Sequence, residues 1–417
     1  MRSKVRAALP LRSFRAPQST VTAHSGSDNH PWQPRFIELR YTDSVSRRFK
    51  RPKPLGRRTI ETPPVPAGPP PRVIEKAHRR FAEQERQERE RVSRFGQIRP
   101  VIALESWGKR LVIVRNRIYW GDWQFFPDFL REFGFQTLGR DWYETERAKA
   151  LGDQHPLFIW QTRAHEFMNR QAPGPDGVYA AIPNGPMAAC MSFYYDLYVV
   201  ADNNTLDDVL LARLRHRDQF QGARHELFAE ATCLRAGFTI EHENERDGTR
   251  RHVEFVGVHK ATGQRLSVEA KSKHRRGVLA MGGEVQEANF RFVSLINEAV
   301  AKETPHPLVI FFDTNLPEPR ARRFFEPQSI EPFVPSRPMI SLLKRLQQPQ
   351  GDPFNLILFS NHPHHYGADD EIDPRKHLLS IFSQIPRTPV PFAAALWKIH
   401  NAANLYGNIP NAFPEAP

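Results

Sequence analysis

Two glutamates and a lysine near the middle of the chain could bind a metal ion and act on a phosphodiester. Glu254 lies in one strand-like run, and Glu269 and Lys271 lie in the next, after a turn at 260–263. If that turn is a four-residue loop, Glu254 falls directly opposite Glu269, where like charges destabilise an antiparallel pair. A divalent cation would remove this repulsion, and Mg²⁺ is commonly held by one or two carboxylates together with water and phosphate.

Side-chain alternation predicts which residues share a face of this hairpin. Lys271 follows Glu269 by two positions, so both point to the same side. The other side is apolar and suited to a core; its members are Val253, Phe255, Val268 and Ala270. Lys271 could orient or deprotonate a water molecule, or stabilise a pentavalent transition state.

A helix and several further strands surround the hairpin. The run 222–236 contains no proline, repeats its apolar residues at helical spacing, and is followed by Gly237, a typical helix stop. Glu226 on this helix could supply an outer ligand or a second-metal ligand. Strands are predicted from 238, at 253–259, 266–269, 308–312 and 355–359, with a helix at about 284–302. This order of elements indicates an α/β sheet with helices on its faces.

These residues resemble a known superfamily, the PD-(D/E)xK or restriction-endonuclease-like nucleases. The segment from Arg224 to Gly237, with Glu226, is similar to the first core helix of that family. Glu254 matches the first metal-binding strand residue, and the triplet 269–271 matches the half-motif with the second ligand and the lysine. One departure is that the first ligand is usually Asp, so Asp247 is an alternative to Glu254.

The resemblance implies a fold, a cofactor and a substrate. The fold is a three-layer αβα arrangement with a mixed central sheet and an α-β-β-β-α-β core. Glu226, Glu254 and Glu269 are the implied ligands of Mg²⁺ or Mn²⁺, and the substrate is nucleic acid, with DNA favoured. Four residues are candidates for contacts with that substrate; they are Lys273, Arg275, Arg276 and Gln286. The alternative function is non-catalytic nucleic-acid binding or protein interaction on the same fold.

Composition divides the chain into regions. Residues 1–80 hold 18 lysines and arginines against 5 acidic residues, which accounts for the whole net charge of +13. We therefore predict a disordered basic tail at 1–75, a charged helix or linker at 76–99, a mostly helical accessory domain at 100–215, and the nuclease-like domain with a proline-rich wrap at 216–417. No apolar run approaches the roughly 18 residues that span a bilayer. Two isolated cysteines fit a cytoplasmic protein, and a homodimer is left open.

Overall fold

A computed structural model describes residues 9–11, 71–172, 179–204, 206–242, 252–273, 292–302, 304–317, 320–328, 334–367 and 377–413. Its helices are α1 (Pro71–Phe95), α2 (Phe126–Leu138), α3 (Arg140–Arg147), α4 (Pro156–Asn169), α5 (Gly185–Asn203), α6 (Asp208–Arg215), α7 (Phe220–Arg235), α8 (Phe292–Val300), α9 (Arg320–Phe325), α10 (Arg337–Leu346), α11 (His362–His365) and α12 (Ala394–Ala403). Its strands are β1 (Leu9–Leu11), β2 (Ile102–Ser106), β3 (Lys109–Val114), β4 (Arg117–Gly121), β5 (Tyr179–Ala181), β6 (Phe238–His242), β7 (Phe255–His259), β8 (Arg265–Ser272), β9 (Leu308–Asp313), β10 (Leu356–Ser360) and β11 (Leu378–Phe382).

The helix α1 is a charged, solvent-exposed element. Its glutamates and arginines pair three or four positions apart, as in the 2.7 Å contact between Arg79 and Glu75. Such exposed pairs stabilise a helix by only about 0.2–0.5 kcal/mol each. The prediction placed this helix at 76–99, with disorder up to residue 75; the helix in fact begins at Pro71. Within the predicted tail, β1 also pairs antiparallel with β5, and residues 12–70 lie outside the described residues.

The region predicted as mostly helical contains a three-stranded antiparallel sheet, in the order β2-β3-β4. The sequence runs 101–104 and 110–114 predict two of these strands, β2 and β3, whereas β4 was not predicted. The helices α2 to α6 follow, and the longest of them, α5, is buried along nearly its whole length. Side chains of α5, such as Phe193 and Leu197, belong to the same apolar cluster as Leu227 and Phe228 of α7. The predicted boundary between residues 215 and 216 therefore crosses a continuous core.

The central sheet is six-stranded and mixed, so the chain is an α/β protein. Its order is β11-β10-β9-β8-β7-β6. The strands β6, β7 and β8 form an antiparallel meander, while β8, β9 and β10 run parallel and β11 is antiparallel to β10. The elements α7, β6, β7, β8, α8 and β9 follow one another in the order that the sequence predicted.

The two faces of this sheet pack into different apolar clusters. Val309 and Phe311 of β9 belong to the cluster that includes α7. Their neighbours Ile310 and Phe312 belong to a second cluster, with side chains of α8, α9 and α10. Every residue of β9 is buried, as expected for a parallel strand that is covered on both sides.

The helix α7 ends as the sequence predicted. Ala236 keeps a right-handed helical conformation, and Gly237 then adopts φ +89°. Side chains are disfavoured at such positive φ values, so glycine is the suitable residue here. The chain turns directly into β6, which places α7 against β6 and β8.

Among the described residues, no helix combines the length and apolar character needed to cross a membrane.

Candidate active site

The β7–β8 hairpin has the register that the sequence predicted. The His259 backbone N–H donates to the Gln264 carbonyl at 2.9 Å, which closes the turn. Phe255 pairs with Val268 in the ladder, so continuing one step outward sets Glu254 opposite Glu269. The strand itself begins at Phe255, and Glu254 lies in the bend just before it.

Glu254, Glu269, Lys271 and a fourth residue, Lys302, form a compact cluster of charges, here called the carboxylate–lysine cluster. The Lys271 Nζ lies 2.5 Å from Glu269 Oε1 and 3.7 Å from Glu254 Oε1. The Lys302 Nζ lies 2.7 Å from Glu269 Oε1, 2.9 Å from Glu269 Oε2 and 3.8 Å from Glu254 Oε1. Both carboxylates therefore face the same small region of space.

The sheet explains why these side chains meet. Glu269 pairs with Ile310 and Lys271 with Phe312 across the β8–β9 ladder. These partners belong to the cluster that includes α8, so Glu269 and Lys271 point to the α8 side of the sheet. Lys302 follows the end of α8, which packs on β8 and β9, and reaches the same carboxylates.

Burial sets the electrostatics of the cluster. The Glu269 side chain is fully buried, whereas those of Glu254, Lys271 and Lys302 are 17–22% exposed. Burial, reinforced by the neighbouring charge of Glu254, raises the pKa of Glu269 despite the two lysines. Burial on its own would lower the pKa of Lys271, but the charge and hydrogen bonding of Glu269, together with the charges of Glu254 and Glu298, outweigh it and the net pKa is raised. Lys271 is therefore an ammonium group at neutral pH.

The oxygen atoms of this cluster suit a hard divalent cation. Glu269 Oε1 is buried, and the Lys271 and Lys302 ammonium groups lie 2.5 and 2.7 Å from it. A divalent cation would compete with these ammonium groups for the same oxygen. Within the described part of the chain, no group of three or more Asp, Glu, His or Cys side chains is arranged to hold a metal. Two carboxylates with water and substrate phosphate are nevertheless a common set for Mg²⁺.

Glu226 belongs to a different set of contacts. It lies on α7, which packs on the opposite face of the sheet from Glu269 and Lys271. Its Oε2 lies 2.7 Å from Arg213 on α6. The structure thus unites three of the four predicted catalytic residues and holds Glu226 through a separate ion pair.

One turn further along α7, Glu230 is fully buried. Among the described residues, neither of its carboxylate oxygens receives a hydrogen bond, and the ion-pair partner is the His242 Nε2, at 3.7 Å. Burial raises the pKa of Glu230 well above its ordinary value, and the charges of Glu226, Asp207 and Glu254 add to this shift. Burial and the neighbouring acidic groups thus disfavour the charged form of the Glu230 carboxyl.

The predicted nucleic-acid contacts are only partly described. The Lys273 ammonium lies 5.2 Å from the centre of the Phe292 ring, at the end of β8. Arg275, Arg276 and Gln286 lie outside the described residues, and so does Asp247, the alternative first ligand.

A second polar group lies at the carboxyl ends of the parallel strands. Asp313 accepts hydrogen bonds from the Ser272 hydroxyl at 3.0 Å and the Ser360 hydroxyl at 3.3 Å. Burial raises the pKa of Asp313 to about 7, although the charge of buried Arg224 acts in the opposite direction. This group is on the α7 side of the sheet, because Asp313 alternates with Phe312.

Sequence reasoning missed Lys302, Glu230 and Asp313. Glu230 stands four positions after Glu226 in the predicted helix, so helical periodicity could have drawn attention to it. Asp313 directly follows a predicted strand, whose carboxyl end is a common place for polar groups. Lys302 carries no comparable signal, since no spacing relates it to the hairpin.

No protein-family model, curated protein or solved structure matches this chain. The functional assignment therefore rests on the residues of the chain itself.

Proposed function

We propose that this protein is a metal-dependent nuclease that hydrolyses phosphodiester bonds of DNA, on a three-layer αβα fold of the restriction-endonuclease-like kind. The carboxylate–lysine cluster is the observation that carries the proposal. Glu254, in the bend just before β7, and Glu269 of β8 both approach the lysine of the Glu-x-Lys triplet. A protein that needed only a stable hairpin would gain little by placing two glutamates opposite each other.

The residues of the carboxylate–lysine cluster have different chemical roles. Glu254 and Glu269 hold Mg²⁺ or Mn²⁺ through their carboxylate oxygens. A bound divalent cation makes hydroxide available from water near neutral pH and neutralises charge that develops at phosphorus. Lys271 is protonated, so its ammonium group stabilises the negative charge of the phosphoryl oxygens rather than removing a proton from water.

The cysteines bear on the cellular location that we propose for the protein, which is the cytoplasm. Cys190 and Cys233 are both buried and unpaired. Reduced cysteines of this kind are typical of the cytoplasm, so we propose that the protein acts there.

The charge balance of the cluster favours a second candidate function. Two ammonium groups already offset two carboxylates, so the cluster is electrically satisfied without a metal ion. A protein that uses the same fold only to bind nucleic acid or a partner protein could keep such a cluster for structure.

A cleavage assay separates the two functions. Plasmid DNA and single-stranded DNA are incubated with the protein and Mg²⁺ or Mn²⁺, and the products are resolved on gels. We expect cleavage by the wild type, and a loss of about 10²–10³-fold in Lys271→Ala, because one charged transition-state contact is removed. Lys344→Ala, which removes an exposed lysine from the last turn of α10, is the matched control and should cleave normally.

Both variants are compared with the wild type by circular dichroism and thermal melting, so that a folding defect is recognised. If the wild type cleaves no nucleic acid and binds neither metal ion, the nuclease assignment is wrong and the non-catalytic function replaces it.

A further inference from the structure

Lys302 makes more contacts with the carboxylates than Lys271 does. Its ammonium nitrogen contacts both oxygens of Glu269, at 2.7 and 2.9 Å, and approaches Glu254 at 3.8 Å. A metal cation shared by two carboxylates would lie close to the same three oxygen atoms. The ammonium group therefore occupies the position where the proposed function requires a divalent cation.

A metal ion and this ammonium group cannot share that position. Mg²⁺ binds oxygen at about 2.0–2.1 Å, and a second cation in contact with the same two carboxylates would repel it strongly. From this geometry, we propose that Lys302 holds the place of the divalent cation in the metal-free protein and must withdraw when the metal binds. Lys302 thereby sets the metal affinity of the site. This inference rests on the proposed function, because it assumes that Glu254 and Glu269 are metal ligands.

The backbone positions of the two lysines indicate which one withdraws. Lys271 is held in β8, where it pairs with Phe312 of the neighbouring parallel strand β9. Lys302 lies two residues beyond the end of α8, where its backbone N–H donates to the Ala299 carbonyl at 3.3 Å. A side chain with four methylene groups, attached beyond a helix end, can turn away without disturbing the sheet. Lys271 thus stays to contact the substrate phosphate while Lys302 leaves.

Metal titration of substituted proteins tests the inference without relying on nuclease activity. Mn²⁺ is titrated into the wild type and into Lys302→Met by isothermal calorimetry. We expect Lys302→Met to bind Mn²⁺ at least about tenfold more tightly, because no ammonium group has to be displaced. Lys302→Arg, which retains a positive charge at this position, should remain within about threefold of the wild type on the same reasoning.

Arg265→Met is the matched control for simple removal of a positive charge. Arg265 lies four residues before Glu269 on the same strand and pairs with Glu241. Its loss should leave Mn²⁺ affinity nearly unchanged, because four strand residues set it about 13 Å from Glu269, beyond the Debye length, and Glu241 already balances its charge. If Lys302→Met does not fold, Lys302→Gln keeps a polar side chain at the same position and replaces it in the comparison.

The outcomes are distinct. Equal or weaker Mn²⁺ binding by folded Lys302→Met, while the wild type binds, overturns the role of Lys302 and leaves the proposed nuclease site in place. A similar gain in Arg265→Met shows a general charge effect and also overturns it. If neither the wild type nor Lys302→Met binds Mn²⁺, the metal site itself is wrong, and the inference is overturned with it.

Discussion

Asp313 should make the stability of this protein fall as pH rises from about 5 to 8. In the folded protein its pKa is raised to about 7 from an ordinary value of 3.8, mainly because burial disfavours the charged form. The folded state therefore keeps a proton that the unfolded state releases. The free energy of unfolding decreases with pH wherever the folded state binds more protons. The loss begins near the unfolded pKa of about 4 and is complete above the folded pKa of about 7.

The size of this change in the free energy of unfolding follows from the pKa shift of Asp313. Each pKa unit corresponds to 1.36 kcal/mol, and Asp313 titrates over about two units above pH 5, so the free energy of unfolding falls by about 3 kcal/mol between pH 5 and pH 8. The substitution Asp313→Asn removes the titrating group and keeps its shape. Its free energy of unfolding should therefore exceed that of the wild type by about 3 kcal/mol more at pH 8 than at pH 5.

Urea denaturation of both proteins at pH 5, 6, 7 and 8, followed by circular dichroism, measures this difference. Other titrating groups are common to both proteins and cancel in the comparison. Asp153→Asn is the control, because the Asp153 side chain is 78% exposed, and it should keep the pH dependence of the wild type. Parallel pH profiles for the wild type and Asp313→Asn would refute the account of Asp313 as a buried, neutral acid.

Two further predictions concern the candidate site and the small sheet. Glu269→Gln should lower the free energy of unfolding by about 3 kcal/mol at pH 7, because two partly buried ammonium groups lose their main partner. Urea denaturation measures this change, and a value below about 1 kcal/mol would mean that water solvates the cluster. Trp107→Asn should raise the stability of the β2–β3 hairpin by about 1 kcal/mol, measured by thermal melting. Trp107 is 91% exposed and has φ +51°, next to Gly108 at φ +69°, and asparagine adopts this conformation more readily than a large side chain. A lower melting temperature in Trp107→Asn would show that the indole ring makes a stabilising contact.

Local patterns in the sequence predicted the elements that position the site. The helix that ends at Gly237 and the hairpin register that opposes Glu254 to Glu269 both depend on near neighbours, namely helical periodicity, a glycine stop and a four-residue turn. The same reasoning placed Glu269 and Lys271 on one face, because alternation along a strand is a property of the backbone.

Two parts of the fold could not be predicted from local patterns in the sequence. The strand β4 is short, and three of its five residues are exposed, including Trp120; its pairing with β3 is what makes it a strand. The shared core of α5 and α7 likewise depends on packing between distant segments.

The hairpin, its register and the side to which Glu269 and Lys271 point could be read from the sequence, because they depend on turns and alternation within about twenty residues. Which other charges meet there depends on the packing of distant elements. The packing of α8 on β8 and β9 brings Lys302 into contact with Glu269, which is 33 positions earlier in the sequence. The packing of α7 on the opposite face leaves Glu226 paired with Arg213. A helix can cover either face of a sheet, and the face that it covers depends on the burial of apolar surface over the whole domain.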